Sequence, residues 1–394
     1  MSEPLGSPRG GVHHAPAAEA PARRAHLALE TTEPMSAGHG FISGLLSALL
    51  GIAGFGLVLS LRFPGYFMQG DLQPLYSSPY LRAGVHLALV TAFLFGSLSA
   101  VLRANKTLAL TGLAFTLAAA LLGGSQAAAS PADGRSAWLS IDFFVLNLLL
   151  YSAVFVPLER LFALRGEQPV FRRQWIVDLT YFFVNSLLVE VLTILTLKPA
   201  LILFGWARAE WLTAVVGSAP ILVQVLLIVL VADFTQYWVH RTFHATSLLW
   251  PFHAVHHSTE EMDWLAGSRL HLVDVILTRG LTYVPIFVLG FSNAALMVYV
   301  FLVAAQATFI HANVRWRFRP IRRIVATPAF HHWHHSADRD AIDKNFAVHT
   351  PIWDLLFGTY YLPDRWPTRY GLSGERDVPS GWLKQLLYPL RRAK

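Results

Sequence analysis

The chain has 394 residues, of which 54% are hydrophobic and 14% charged, whereas a soluble domain carries about 25% charged residues. This composition excludes an ordinary soluble globular protein and indicates an integral membrane protein. The absence of cysteine excludes disulfides, thiolate metal sites and iron–sulfur clusters. Basic loops on the cytoplasmic side of a membrane explain the net charge of +7, so no nucleic-acid partner is expected.

The first 40 residues are rich in alanine, proline, glycine and serine, which predicts a disordered cytoplasmic tail over 1–40. Apolar runs long enough to cross about 30 Å of hydrocarbon follow. There are eight, at 41–62, 83–102, 107–125, 139–157, 175–195, 219–239, 273–290 and 293–310. The nearly continuous segment 175–204 has room for a span and a re-entrant turn.

Twelve of the seventeen histidines lie between His240 and His349, and eight of them form three clusters. The clusters read HxxxH, HxxHH and HxxHH, and their members are His240 and His244; His253, His256 and His257; and His331, His334 and His335. On a helix, residues at i, i+3 and i+4 share one face, so each cluster presents two or three imidazoles in one direction. Together the clusters supply enough nitrogen ligands for two transition-metal ions.

The second and third clusters each follow a helix-start signal. Trp250-Pro251 precedes one, and Thr327-Pro328 precedes the other. Proline is favoured in the first turn of a helix. Each of these clusters is therefore predicted to lie on a short new helix at the membrane interface.

Basic residues orient the predicted spans, because loops rich in lysine and arginine stay in the cytoplasm. Arg103 and Lys106 flank one short loop, and four arginines between 160 and 173 crowd another. Placing these loops in the cytoplasm puts both termini there. The same orientation brings all three histidine clusters to the cytoplasmic face.

Outside the clusters, His311 ends the last apolar run at the same membrane level and is the predicted ninth ligand. Four further residues are candidates for additional metal binding or for hydrogen bonds to the ligands: His271, His332, His349 and Asp233. Asp233 lies on the helical stripe of the first cluster, where its carboxylate can accept a ring N–H. An ion pair with Arg241 or Arg269 is the alternative for Asp233.

These residues and their surroundings resemble the fatty acid hydroxylase/sterol desaturase superfamily. The matching segments are Tyr237–His244, Leu249–Ser258, His311–Asn313, Thr327–Ser336 and Lys344–Tyr360. The resemblance covers about 171–365 and does not cover 1–157. It divides the chain into an accessory four-span membrane region at 41–157, a catalytic domain at 158–370 and a basic C-terminal tail at 371–394.

The resemblance implies a non-haem di-iron oxygenase embedded from the cytoplasmic side, whose iron ligands are the eight cluster histidines with His311 as the ninth. It also implies O₂ as co-substrate, electrons from a separate donor protein, and a lipid substrate that is hydroxylated or desaturated. The predicted fold is an all-α, polytopic membrane helical bundle with a histidine-rich two-metal site on its cytoplasmic face.

Two other classes of membrane protein also concentrate histidines. A metal-binding or metal-transport protein needs polar ligands near the bilayer midplane, whereas these clusters lie at span ends. A bis-histidine haem protein needs two axial ligands, fewer than each cluster of three offers. The sequence does not separate hydroxylation, desaturation and ether-lipid cleavage, and it does not name the lipid.

Overall fold

The structure is a computed structural model that describes residues 39–67, 73–76, 78–128, 141–373 and 378–391. All regular elements in these ranges are helical, and β-type pairing within them is limited to two isolated bridges, Ala163–Val314 and Ser336–Tyr370. The prediction of an all-α fold is therefore confirmed for the described chain. The predicted tail at 1–40 lies outside the described residues except for its last two positions.

The longer helices are α1 (Phe41–Arg62), α2 (Pro79–Leu102), α3 (Thr107–Leu121), α4 (Ile141–Leu161), α5 (Trp175–Leu187), α6 (Val189–Phe204), α7 (Glu210–Ser218), α8 (Ile221–Ala245), α9 (Trp250–His257), α10 (Leu272–Leu289), α11 (Asn293–His311), α12 (Pro328–His334), α13 (Ile352–Leu356) and α14 (Trp382–Arg391). Single turns lie at Pro64–Phe67, Gln73–Tyr76, Gly124–Gln126, Gly205–Ala207, Ala266–Ser268 and Arg339–Ala341.

Six helices of the described chain are long and apolar enough to cross a membrane. They are α1, α2, α3 with the turn after it, α8, α10 and α11. A bent pair, Trp175–Leu187 and Val191–Ala207, meets at 55° and forms a broken span or a re-entrant loop, which raises the total to as many as seven. The predicted run at 139–157 lies within α4, and its crossing of the membrane stays a prediction.

The N-terminal helices are held together by close backbone contacts. Helices α2, α3 and α4 all pack on α1. A Cβ atom added to Gly51 of α1 would lie 2.6 Å from the carbonyl oxygen of Gly112 in α3. Ser47 Oγ of α1 also donates to the Ala92 carbonyl of α2 at 2.7 Å. Small residues let helices approach in this way where lipid provides no hydrophobic driving force.

The C-terminal half places the histidine clusters at the ends of its long helices. Helix α8 packs against both α10 and α11, α9 packs on α8, and α12 packs on α11. Both predicted helix starts are confirmed, because α9 begins at Trp250 and α12 begins at Pro328. The Thr327 hydroxyl accepts the Phe330 N–H at 3.3 Å and thereby caps α12.

Candidate metal centre

Nine histidines converge at the ends of α8, α9, α11 and α12, in two groups whose available nitrogen atoms lie within 4.8 Å of one another. Group one contains His240, His244, His253, His257 and His334; group two contains His256, His311, His331 and His335. All of them are buried except His244, which is half-buried. The structure therefore brings together the eight cluster histidines and the predicted ninth ligand.

Both three-histidine clusters are divided between the groups. His253 and His257 of α9 belong to group one, whereas His256 belongs to group two. In the third cluster, His334 belongs to group one, whereas His331 and His335 belong to group two. The groups adjoin, because the ring centroids of His257 and His335 lie 4.5 Å apart. One turn of helix thus contributes to both groups, which keeps them next to each other.

Oxygen acceptors set the tautomer of six of the nine rings. The Nδ1 atom of each of these six rings lies within hydrogen-bond distance of one oxygen atom. The pairs are His240 with the Phe346 carbonyl (2.7 Å), His244 with Asp343 (3.1 Å), His253 with Asp274 (2.6 Å), His256 with the Arg269 carbonyl (3.1 Å), His311 with the Ala307 carbonyl (2.6 Å) and His334 with the Lys344 carbonyl (2.8 Å). Carbonyl and carboxylate oxygens only accept, so Nδ1 carries the proton and Nε2 presents a lone pair.

These Nε2 lone pairs face one another at close range. In group one, the Nε2 atoms of His240 and His253 lie 2.9 Å apart. In group two, His311 Nε2 lies 3.3 Å from His256 Nε2. Because neither ring of either pair has an Nε2 proton to donate, the contact is repulsive unless a cation lies between the nitrogens. The Nε2 atom of His334 is also buried and has no hydrogen-bond partner in the described chain. The donor set therefore fits histidine-ligated metal ions.

The segment that holds both groups also matches a known protein family. The model of the fatty acid hydroxylase family matches residues 225–359, which include all nine histidines. This part of the chain belongs to the fatty acid hydroxylase family. The resemblance expected from the histidine clusters is thereby confirmed.

Proteins similar to this chain include the ornithine lipid hydroxylase OlsE of Rhizobium tropici, 35% identical over 177 residues, which cover 44% of this chain and 52% of that protein. Alkylglycerol monooxygenase of Homo sapiens is 33% identical over 141 residues, 36% of this chain and 31% of that protein. The very-long-chain aldehyde decarbonylase GL1-7 of Oryza sativa subsp. japonica is 26% identical over 169 residues, which cover 40% of this chain and 26% of that protein. The chain thus spans about half of these relatives or less. No solved structure gives a significant match.

Burial keeps the histidines of α9 and α12 in the neutral form that binds metals. Desolvation, followed by repulsion from neighbouring rings, lowers the pKa well below its ordinary value for His253, His256, His257, His331, His334 and His335. A ring that stays neutral offers its lone pair without first releasing a proton. Protons therefore compete weakly with a metal at these six rings near neutral pH.

Two carboxylates that sequence reasoning missed support group one. Asp274 accepts the Nδ1–H of His253, and it also accepts the Thr278 hydroxyl at 3.1 Å. Asp343 accepts the Nδ1–H of His244. Carboxylates in such positions orient a ligand ring and raise its basicity. Neither residue lies on the helical stripe of a cluster, so no periodic pattern marks them.

Asp233 has a different role from the one predicted. Its carboxylate accepts three backbone N–H groups, from Val348, His349 and Thr350, at 2.8 to 2.9 Å. It therefore holds the loop after α12, in place of the predicted ring N–H or ion pair. The reason is that this loop folds back onto α8, a contact that the helical stripe does not reveal.

The three other candidate histidines lie outside both groups. His271 caps α10 by accepting the Val273 N–H, and its Nε2 donates to the Leu386 carbonyl at 3.0 Å. His332 contacts the Tyr370 hydroxyl at 2.8 Å and the His311 carbonyl at 3.3 Å. His349 meets the Gln306 side chain at 3.0 Å. These contacts hold the three side chains in the surrounding fold. They do not support metal binding by these residues.

A cavity of about 470 Å³ opens onto group one. His244, His257 and His334 line it from inside, together with Trp250 of α9 and Tyr388 of α14. Hydroxyl groups and Asp343 line it as well. Three histidines of group one thus form part of the cavity wall, beside aromatic and polar side chains.

Substitution of Gly267 is expected to impair group two without removing a ligand. A Cβ atom at Gly267 would lie 2.9 Å from His311 Nδ1 and 3.3 Å from the Ala307 carbonyl oxygen, so His311 has to move. Gly267→Ala should weaken metal binding at group two about 10-fold or more, as loss of ligand orientation does elsewhere. Metal titration of the purified protein measures this. Gly166→Ala, where a Cβ meets nothing within 4 Å, is the control; equal affinities in both variants would contradict the argument.

Acid should destabilise the protein through two buried histidines outside the groups. Burial lowers the pKa of His332 to about 3, with His311 adding to the effect, and burial lowers the pKa of His349 to about 4. Only the unfolded chain then takes up these protons between about pH 6.5 and 4, so stability is complete above that range and falls with pH inside it. Each of the two rings should lower the free energy of unfolding by about 2 kcal/mol when the pH falls from 6.5 to 5. Unfolding of the wild type and His349→Gln at both pH values tests this, since the variant should lose part of the slope.

Proposed function

We propose that this protein is a membrane-embedded, iron-dependent oxygenase that hydroxylates a lipid at a C–H bond. One observation carries the proposal: nine histidines stand in two adjoining groups, and six have their Nε2 lone pairs directed inward by hydrogen bonds at Nδ1. Group one would hold one iron ion and group two the other. Bound iron supplies the activation of O₂ and the oxidation of the C–H bond.

The chain's own residues position the ligands and exclude water. Asp274 and Asp343 hold the rings of His253 and His244, and backbone carbonyls hold four others. Burial of the rings keeps bulk water from the reacting atoms. We infer no side chain acting as a catalytic acid or base, because the Nδ1 hydrogen bonds of these histidines hold the rings in place.

We infer that the substrate is a lipid with a polar headgroup. One relative is named for ornithine lipid and another for alkylglycerol, and their names specify a hydroxylase and a monooxygenase. The cavity on group one combines the aromatic rings of Trp250 and Tyr388 with hydroxyls and a carboxylate, a lining suited to the polar end of a lipid. These observations favour hydroxylation over desaturation.

We place the metal centre on the cytoplasmic face. Five arginines follow α11 on the side of the histidine groups: Arg315, Arg317, Arg319, Arg322 and Arg323. Such clusters mark cytoplasmic loops. Hydroxylation of a lipid R–H by O₂ needs two electrons and two protons and yields R–OH and water. We propose that a separate one-electron carrier protein in the cytoplasm supplies the electrons.

Metal content and product analysis of the full chain in nanodiscs test the proposal. The wild type, loaded with ferrous iron and supplied with reductant, should hold about two irons and convert added ornithine lipid or alkylglycerol to a product heavier by one oxygen atom. His256→Ala should lose both the second iron and the product. Stoichiometric metal with no oxidised lipid, under a reductant shown to reduce the iron, would favour a metal-binding or metal-transport protein.

A further inference from the structure

The C-terminal helix α14 exposes a stripe of leucines. Leu383, Leu387 and Leu390 are 60%, 38% and 65% exposed, and their spacing of four and three residues places them on one helical face. The other face is buried, with Gln385 at 1% and Tyr388 at 9% exposure. Within the described chain, the leucine stripe thus lies on the outside of a helix that is firmly attached by its opposite face.

Contacts of the buried face place α14 at the level where the long helices end. Tyr388 packs in one core with Val177 and Tyr181 of α5 and Val255 of α9. The Leu386 carbonyl accepts a hydrogen bond from His271, the residue that caps the start of α10. Helix α9 follows the end of α8. Because α8 and α10 are candidate membrane spans and α5 starts the bent pair, α14 lies at one boundary of the membrane.

The charge of this segment suits the surface of an anionic bilayer. Residues 382–394 include Lys384, Arg391, Arg392 and Lys394 and no acidic residue. An amphipathic helix with basic residues and an apolar face lies in the interfacial plane of a membrane. Anionic lipids attract such basic segments.

We propose that α14 lies in the membrane surface with Leu383, Leu387 and Leu390 inserted between the lipids, and that it borders the route by which a lipid leaves that leaflet for the metal centre. Tyr388 of α14 connects this helix to the metal centre, because it lines the cavity of about 470 Å³ together with His244 and His257 of group one. The membrane contact stands by itself, whereas the route rests on the proposed function. The occupant of the leucine stripe is thus the bilayer in which the spans are embedded.

The absence of cysteine makes the membrane contact directly measurable. Leu387→Cys and, as the matched control, Lys384→Cys are each labelled with a fluorophore in the full chain in anionic nanodiscs. A spin-labelled lipid should quench the label at 387 several-fold more strongly than the label at 384. Equal quenching at both positions, or a label at 387 that reacts with a water-soluble thiol reagent as fast as one at 384, would overturn the proposal. Protection from that reagent without quenching by lipid would also overturn it, in favour of a protein partner.

A second variant tests the route. Replacing all three leucines by serine should raise the KM for a lipid embedded in vesicles about 10-fold, with kcat and metal content unchanged. A short-chain substrate dispersed in water should show no change in KM. An unchanged KM for the embedded lipid would overturn the route. If the wild type oxidises no lipid at all, the proposed function fails, while the quenching experiment still decides the membrane contact.

Discussion

His331→Ala is expected to lower the metal content to about one ion per chain and to reduce lipid oxidation at least about 100-fold, whereas His332→Ala keeps both ions. The two histidines are adjacent in α12 but face different ways. His331 Nε2 lies 3.0 Å from His311 Nε2 and 3.1 Å from His335 Nε2, inside group two. His332 instead contacts Tyr370 and the carbonyl of His311.

Elemental analysis and lipid turnover of the two variants measure this difference, with the folded fraction established first. The pair is a sharp comparison because both substitutions remove a buried imidazole from the same helix. Loss of metal from both variants to the same extent would mean that disruption of α12, and not removal of a ligand, causes the effect. Full metal content in His331→Ala would remove His331 from the proposed ligand set.

Arg172→Met is expected to reduce the free energy of unfolding by about 3–5 kcal/mol, because it removes the buried guanidinium that pairs with two buried carboxylates. Arg172 Nη2 lies 2.6 Å from Asp178 and 2.7 Å from Asp263, and the side chains of Arg172 and Asp178 are 1% and 0% exposed. Asp178 also binds Arg269 at 2.5 Å. Since the Arg269 carbonyl holds the ring of His256, the loss should weaken metal binding at group two as well.

Arg173→Met is the matched control for this buried network. Arg173 pairs with Glu260 at 3.3 Å, but the two side chains are 73% and 62% exposed. Water and salt screen such a pair, so the substitution should change the free energy of unfolding by less than about 1 kcal/mol. Denaturant unfolding of both variants in one detergent compares them. A cost below about 1 kcal/mol for Arg172→Met would show that the buried network is not needed for stability.

Local patterns in the sequence were sufficient to predict the class of fold and the identity of the converging histidines. Apolar runs predicted the candidate spans because a helix that crosses lipid must satisfy its own backbone and present apolar side chains. Spacings of three and four residues predicted shared faces within each cluster, and proline predicted the starts of α9 and α12. The same residues predicted the resemblance to the fatty acid hydroxylase family, which the family match over residues 225–359 confirms.

The tertiary structure decided how the histidines are divided and what holds them. Each three-histidine cluster supplies both groups, because α9 packs on α8 and α12 packs on α11, which brings the histidines of four helix ends together. Asp274 lies 21 residues from His253, and Asp343 lies 99 residues from His244, so helical periodicity cannot connect either pair. Asp233 shares a stripe with His240, yet the loop that folds back onto α8 takes up its carboxylate. Helical spacing determines which side chains leave one helix together, whereas the packing of separate helices determines what they meet.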